Sequence, residues 1–119
     1  KVDSILGQDS TSKVIVGGDF NDDYTSESIQ YLQKENRLKP VSDSKIGTLK
    51  YKSNWNTFDQ WFVSTSLANQ VKTSVFKPEW LLMEDEKYHG KKPFRTYSGM
   101  NYIGGFSDHL PIMLELKLQ

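Results

Sequence analysis

No cysteine occurs in the sequence, which excludes disulfides, thiolate metal sites and cysteine nucleophiles while leaving reducing and oxidising compartments equally open. Neither sign of charge is in excess, since 15 Lys and Arg stand against 15 Asp and Glu. A protein that coats nucleic acid depends on a summed positive field, so tight sequence-independent binding of a polyanion is disfavoured. No apolar run approaches the roughly 20 residues of a membrane span, and the polar opening Lys1-Val2-Asp3-Ser4 does not resemble a secretory signal. Apolar residues are scarce at 36%, but aromatic ones reach 13% and supply bulky core material. At 119 residues one domain is the ceiling, and the chain is small for closing a core around a deep site. It begins without Met, as a piece cut from a longer chain would.

Periodicity orders what is there. Val2, Ile5 and Leu6 have helical spacing and stop at Gly7, and Val14-Ile15-Val16 closed by Gly17 and Gly18 reads as an interior strand covered on both faces. Thr25 to Glu35 places Ile29 and Leu32 on one side of a helix that Thr25 or Ser26 can cap. Leu49 and Tyr51 alternate with Lys50 and Lys52 ahead of the aromatic-rich run from Trp55 to Val63, which suggests a hairpin, and Val71 to Phe76 reads as a further strand. From Lys77 to Gly105 the period is lost among prolines and glycines, as in a long surface excursion. Leu110, Ile112, Leu114, Leu116 and Leu118 then alternate with Met113, Glu115 and Lys117, the pattern of a half-buried strand.

Three polar clusters sit where apolar strands begin or end, the places where sheets with connecting helices present ligands. Asp19-Phe20-Asn21 follows the first strand: Asp19 can accept a proton or orient a water, and the Asn21 amide can donate to a developing oxyanion. The same loop could equally cap the next helix. Asp59 stands among Phe58, Trp61 and Phe62, where an unpaired carboxylate would be costly. It needs a partner, either catalytic or backbone amides. Ser107-Asp108-His109, after Gly104 and Gly105, places one of two histidines beside a carboxylate at a strand entry, a natural general acid or base near neutral pH. Lys87, Lys91, Lys92 and Arg95 surround His89 in a basic patch that reads as a solvated loop able to recruit a phosphate, with Arg95 its best candidate for a substrate contact. Trp55, Trp61, Trp80, Leu81 and Leu82 read as core or loop packing.

Taken in order, GDFN after a strand, an aspartate in an aromatic strand and GGFSDHLPI entering the last strand resemble the endonuclease/exonuclease/phosphatase family, over Lys13 to Leu116. The wording around Trp55-Asn56-Thr57-Phe58-Asp59-Gln60 and Arg95-Thr96-Tyr97 is most similar to that of bacterial members. The resemblance implies an α/β (α+β) fold, the C-terminal half of a deoxyribonuclease I-like four-layer sandwich, with mostly antiparallel sheet and helices on one face. It implies a metal-dependent phosphoesterase using Mg²⁺ or Mn²⁺. Asp19 would orient or deprotonate the attacking water, Asn21 would hold a phosphoryl oxygen, Asp59 would pair with His109, His109 would contact the scissile phosphate, and Asp108 would ligate the metal. The family's early asparagine, metal-binding glutamate and further histidine or tyrosine have no counterpart in these 119 residues, so the piece alone is expected to be inactive and to bind metal weakly. Its expected partners are a phosphate-ester substrate, the missing half, and a second copy through an uncovered sheet face. A non-catalytic binding module that keeps the scaffold is the competing reading.

Overall fold

A computed structural model describes residues 2–9, 11–22, 26–34, 38–43 and 45–117. Helix α1 (Val2–Gln8) buries Leu6 and leads into strand β1 (Ile15–Asp19). Helix α2 (Glu27–Lys34) follows, with Glu27 in its first turn and Lys34 in its last, each matched to the helix dipole. The Ser26 hydroxyl accepts the Ile29 amide at 3.4 Å and caps it. The alternative cap at Thr25, and the expected ends at Glu35 and Leu118, lie outside the described residues.

Strand β2 (Leu38–Pro40) precedes a hairpin of β3 (Leu49–Tyr51) and β4 (Asn54–Asn56), and β5 (Asp59–Ser64) is the central strand of an antiparallel sheet ordered β1-β5-β2. On one face of that sheet Phe62 gathers Leu6, Ile29 and Leu38, with Val14, Val16, Phe20 and Leu32 packed around them. The Phe20 and Phe62 rings meet edge to face at 5.3 Å. Both helices therefore share one face. Strand β6 (Val71–Val75) lies toward the other face, where the Thr73 hydroxyl donates to the Val41 carbonyl at 2.7 Å.

Several expectations for β1 change. Among the described residues it is an edge strand of its sheet, because β5 takes the centre. Ile15 is 41% exposed, so within the described residues only the Val14 and Val16 side is covered. Gly17 and Gly18 do not close the strand but lie inside it. At Gly17 the Trp61 ring of β5 lies so close that a β-carbon would collide with it.

The stretch expected to be irregular, from Lys77 to Gly105, is instead two short hairpins. A 3₁₀ turn (Glu79–Leu81) opens it, then β7 (Leu82–Glu84) pairs with β8 (Lys91–Pro93) and β9 (Tyr97–Ser98) with β10 (Asn101–Tyr102). Two of the residues that broke the period, Gly90 and Gly99, lie in their turns, and Gly104 follows β10; the three have φ of 75°, 60° and 78°, where a glycine carries no steric cost. The last strand, β11 (Ile112–Leu116), pairs with β6 and starts two residues later than its alternation suggests, since Pro111 has no amide hydrogen to give a ladder. The outcome is mostly antiparallel sheet with short helices on one face, the α+β class expected. Among the described residues no helix is long and apolar enough to cross a membrane.

Candidate active site

The register of β1 on β5 sets Asp19 directly opposite Asp59, so both carboxylates emerge on the same face. Like charges in directly opposed positions repel. His109 relieves that repulsion: its Nδ1 lies 2.7 Å from Asp59 Oδ2 and its Nε2 3.9 Å from Asp19 Oδ2. The ring is held there from its own backbone. His109 forms an isolated antiparallel bridge with Leu49, the Leu110 amide donates to the Thr48 carbonyl at 2.7 Å, and the His109 amide donates to Ser107 Oγ at 3.1 Å.

Thr48 is the residue the sequence did not single out. It is fully buried, its hydroxyl donates to Asp59 Oδ2 at 2.6 Å, and the Thr48 Oγ1 in turn accepts the Asp59 amide at 3.2 Å. Thr48 thus fixes the carboxylate that fixes the imidazole. Nothing in a lone threonine ahead of a short strand signals this, because the contact depends on how the β3–β4 hairpin folds onto β5.

Burial of the His109 ring opposes its charge, but the hydrogen bond and charge of Asp59, helped by Asp108 and Asp19, outweigh burial and raise its pKa above the ordinary histidine value. The ring therefore favours its protonated form. With Nδ1–H committed to Asp59, Nε2–H is the free donor, turned toward the side where Asp19 stands.

Asp19 is 40% exposed at its side chain. Its Oδ1 accepts the Asn21 amide at 2.9 Å, a contact that goes with Asn21's left-handed φ of 53°, a conformation asparagine tolerates better than most residues. Its Oδ2 keeps no described hydrogen bond and is free to meet a water. Asn21 itself is exposed. Asp108 is exposed on the loop between Ser107 and His109; it is outside the closest acidic group, in which ligand atoms of Asp19, Asp59 and His109 lie within 4.8 Å of one another. Arg95 lines a hollow with Phe106, Ser107 and Asp108, next to the same loop.

The donor chemistry suits a hard cation in part. Within the closest group, Asp59 Oδ2 is already engaged by Thr48 and His109, which leaves Asp19 and, next in the loop, Asp108 as carboxylates with oxygens to offer. Hard divalent ions prefer such oxygens and fill the rest of their shell with water. His89 is exposed and takes no part in this arrangement. Of the residues read as packing, Leu81 is buried, whereas Trp80 is 57% exposed in a row of edge-to-face rings with Phe76 and Phe106.

A family model described as the Endonuclease/Exonuclease/phosphatase family matches residues 1–118. No curated protein and no solved structure matches.

Proposed function

Because this chain belongs to the endonuclease/exonuclease/phosphatase family, we propose that it forms the phosphate-facing side of a metal-dependent site at which water attacks a phosphate ester in line with the leaving oxygen. Hydrolysis of phosphate esters is the family's reaction, and divalent metals are its usual cofactors. The observation that carries the reading is the His109 imidazole held between two carboxylates, on Asp59 at 2.7 Å and facing Asp19 at 3.9 Å.

The roles follow from which atoms are engaged and which are free. Asp19 Oδ2, on a partly exposed side chain, facing His109 Nε2 at 3.9 Å and without a described hydrogen bond, orients the water and accepts its proton. The Asn21 backbone amide holds the other Asp19 oxygen, and its side chain holds a phosphoryl oxygen. His109 Nε2–H donates to an oxygen of the scissile phosphate, and Asp59 balances the ring's charge as the carboxylate does in a catalytic triad. Arg95, beside Ser107 and Asp108, supplies a second cationic contact to the phosphate.

Asp108, with Asp19 next to the same histidine, would hold Mg²⁺ or Mn²⁺, which when bound neutralises phosphate charge and polarises the leaving oxygen. Two exposed carboxylates leave most of the shell to water and substrate. These 119 residues alone are therefore expected to hold the ion weakly and to turn over ester slowly or not at all. Mn²⁺ tests this without turnover, because it broadens nearby amide resonances. Broadening is expected first at Asp19, Asn21, Asp108 and His109, with a dissociation constant in the millimolar range. Broadening centred elsewhere, or unaffected by Asp108→Asn, would overturn the assignment of the cation's place.

A further inference from the structure

The positive charge of this neutral chain is not spread evenly. Lys52 from the β3–β4 turn, Lys87 from the β7–β8 turn, Lys92 from β8 and Arg95 just beyond it converge on one groove of about 410 Å³, walled in part by Tyr51 and Tyr88. The Lys52 and Lys87 ammonium groups lie over the rings of these tyrosines at 5.5 and 5.4 Å, which holds the long side chains along the walls. None of the four forms an ion pair with a described residue. Among the acids of the same hairpin, Asp85 is taken by Lys50 and Glu84 by Lys91, which leaves Glu86 against four cations.

The groove is built, not a chance gathering of flexible lysines. Lys50 and Asp85 line it too, their side chains buried against each other, 2.9 Å apart and each 4% exposed, so that the Asp85 carboxylate is neutralised by Lys50. The remaining Lys50 donors reach the carbonyls of His89 at 2.6 Å and Lys91 at 3.2 Å. Asp85 in turn accepts the Tyr88 amide at 2.9 Å. This network ties the turn that carries Lys87 and the strand that carries Lys92 to β3, next to Lys52.

Arg95 connects the groove to the catalytic loop. It lines both the groove and the hollow of about 340 Å³ formed with Phe106, Ser107 and Asp108, and its Nε is buried with no described hydrogen-bond partner. In ordinary salt each charge is screened within roughly 8–10 Å. Cations gathered in a groove of their own therefore act on a group that lies in that groove, beyond the phosphate being cleaved.

We propose that this groove binds a second phosphate of the substrate, so that the protein acts on a multiply phosphorylated anion that spans Arg95. The inference rests on the phosphoesterase reading above and narrows its substrate class. A second phosphate can come from a phosphodiester strand or from a compact polyphosphorylated small molecule.

The test follows amide resonances of the protein, without added metal, during titration with a sugar monophosphate, a sugar bisphosphate and a short 5′-phosphorylated oligonucleotide. The monophosphate is expected to move Ser107 and His109. The bisphosphate, the oligonucleotide or both are expected to move Lys52, Tyr88 and Lys92 as well and to bind at least about tenfold tighter. Whichever of the two gains more identifies the source. In the double variant Lys52→Gln/Lys92→Gln that gain is lost while monophosphate affinity is unchanged, and Lys87→Gln reduces it in part. If neither multiply phosphorylated probe binds tighter than the monophosphate, or the gain survives in the double variant, the inference falls while the phosphoesterase reading stands. If no probe moves Ser107 or His109, both fall.

Discussion

Replacing His109 by alanine is expected to lower kcat/KM for a phosphate ester by about 10²- to 10⁴-fold in a chain whose cation shell is complete, the usual contribution of a positioned proton donor. The size of the effect follows from the local geometry. Asp19 and Asp59 oppose each other across the ladder, and removing the imidazole takes away the phosphate's donor and leaves two like charges facing each other. Asp59→Asn is expected to lose less, because the backbone that carries the ring stays in place through Leu49, Ser107 and Thr48 and an asparagine oxygen can still accept from Nδ1–H. Its signature is the pH profile. The ring's pKa is raised above the reference 6.5, so its stabilising contribution is complete below about 6.5 and is lost as pH rises through the raised folded value. Activity that needs the protonated ring declines as pH rises through the same raised value. In Asp59→Asn the decline moves to lower pH, and an unmoved profile with full activity in His109→Ala would contradict the assigned roles.

The second large effect is on the fold. At Gly105 an added β-carbon would collide with the backbone carbonyls of Phe94 and Arg95, and the Gly105 amide already donates to Arg95 at 3.1 Å. Backbone cannot swing aside as the end of a flexible side chain can. Gly105→Ala is therefore expected to cost about 3 kcal/mol or more and to lower Tm by roughly 10 °C or more. Because Ser107, Asp108 and His109 follow at once, phosphate binding should weaken with it. Gly7→Ala, where nothing lies within 4 Å of the added atom, is the control and should be neutral or slightly stabilising, by up to about 1 kcal/mol. Equal melting temperatures for the two variants, measured by thermal denaturation, would show that the loop relaxes without cost.

The contrast between Asp59 and Lys50 shows what the sequence could convey. Asp59 was legible because a carboxylate inside an aromatic strand is expensive without a partner, and Asp19 and His109 because they stand at strand ends, where sheets present ligands, although helix capping was an open alternative for the Asp19 loop. The strand Val71–Val75 was legible as a further strand, and Ile112–Leu116 from its alternation. Lys50 was not. Its place between Leu49 and Tyr51 suggests an outward lysine, yet it is buried while Tyr51 is 64% exposed, because Asp85 and the carbonyls of His89 and Lys91 satisfy all three of its donors. Those partners come from a distant hairpin that lost its period in the sequence through the glycines of its turns. Thr48 was silent for the same reason, since its task exists only once β3 meets β5. The edge position of β1 among the described residues was not legible, because a continuous β-branched run looks the same at the centre of a sheet and at its border.

The most direct test of the central claim is hydrolysis of a phosphate ester in oxygen-18 water, with and without Mg²⁺ or Mn²⁺, by a chain that carries the full cation shell. The account predicts cation-dependent turnover with the label in the phosphate product, since water attacks phosphorus. Label in the alcohol, or the same turnover with the metal removed, would contradict it.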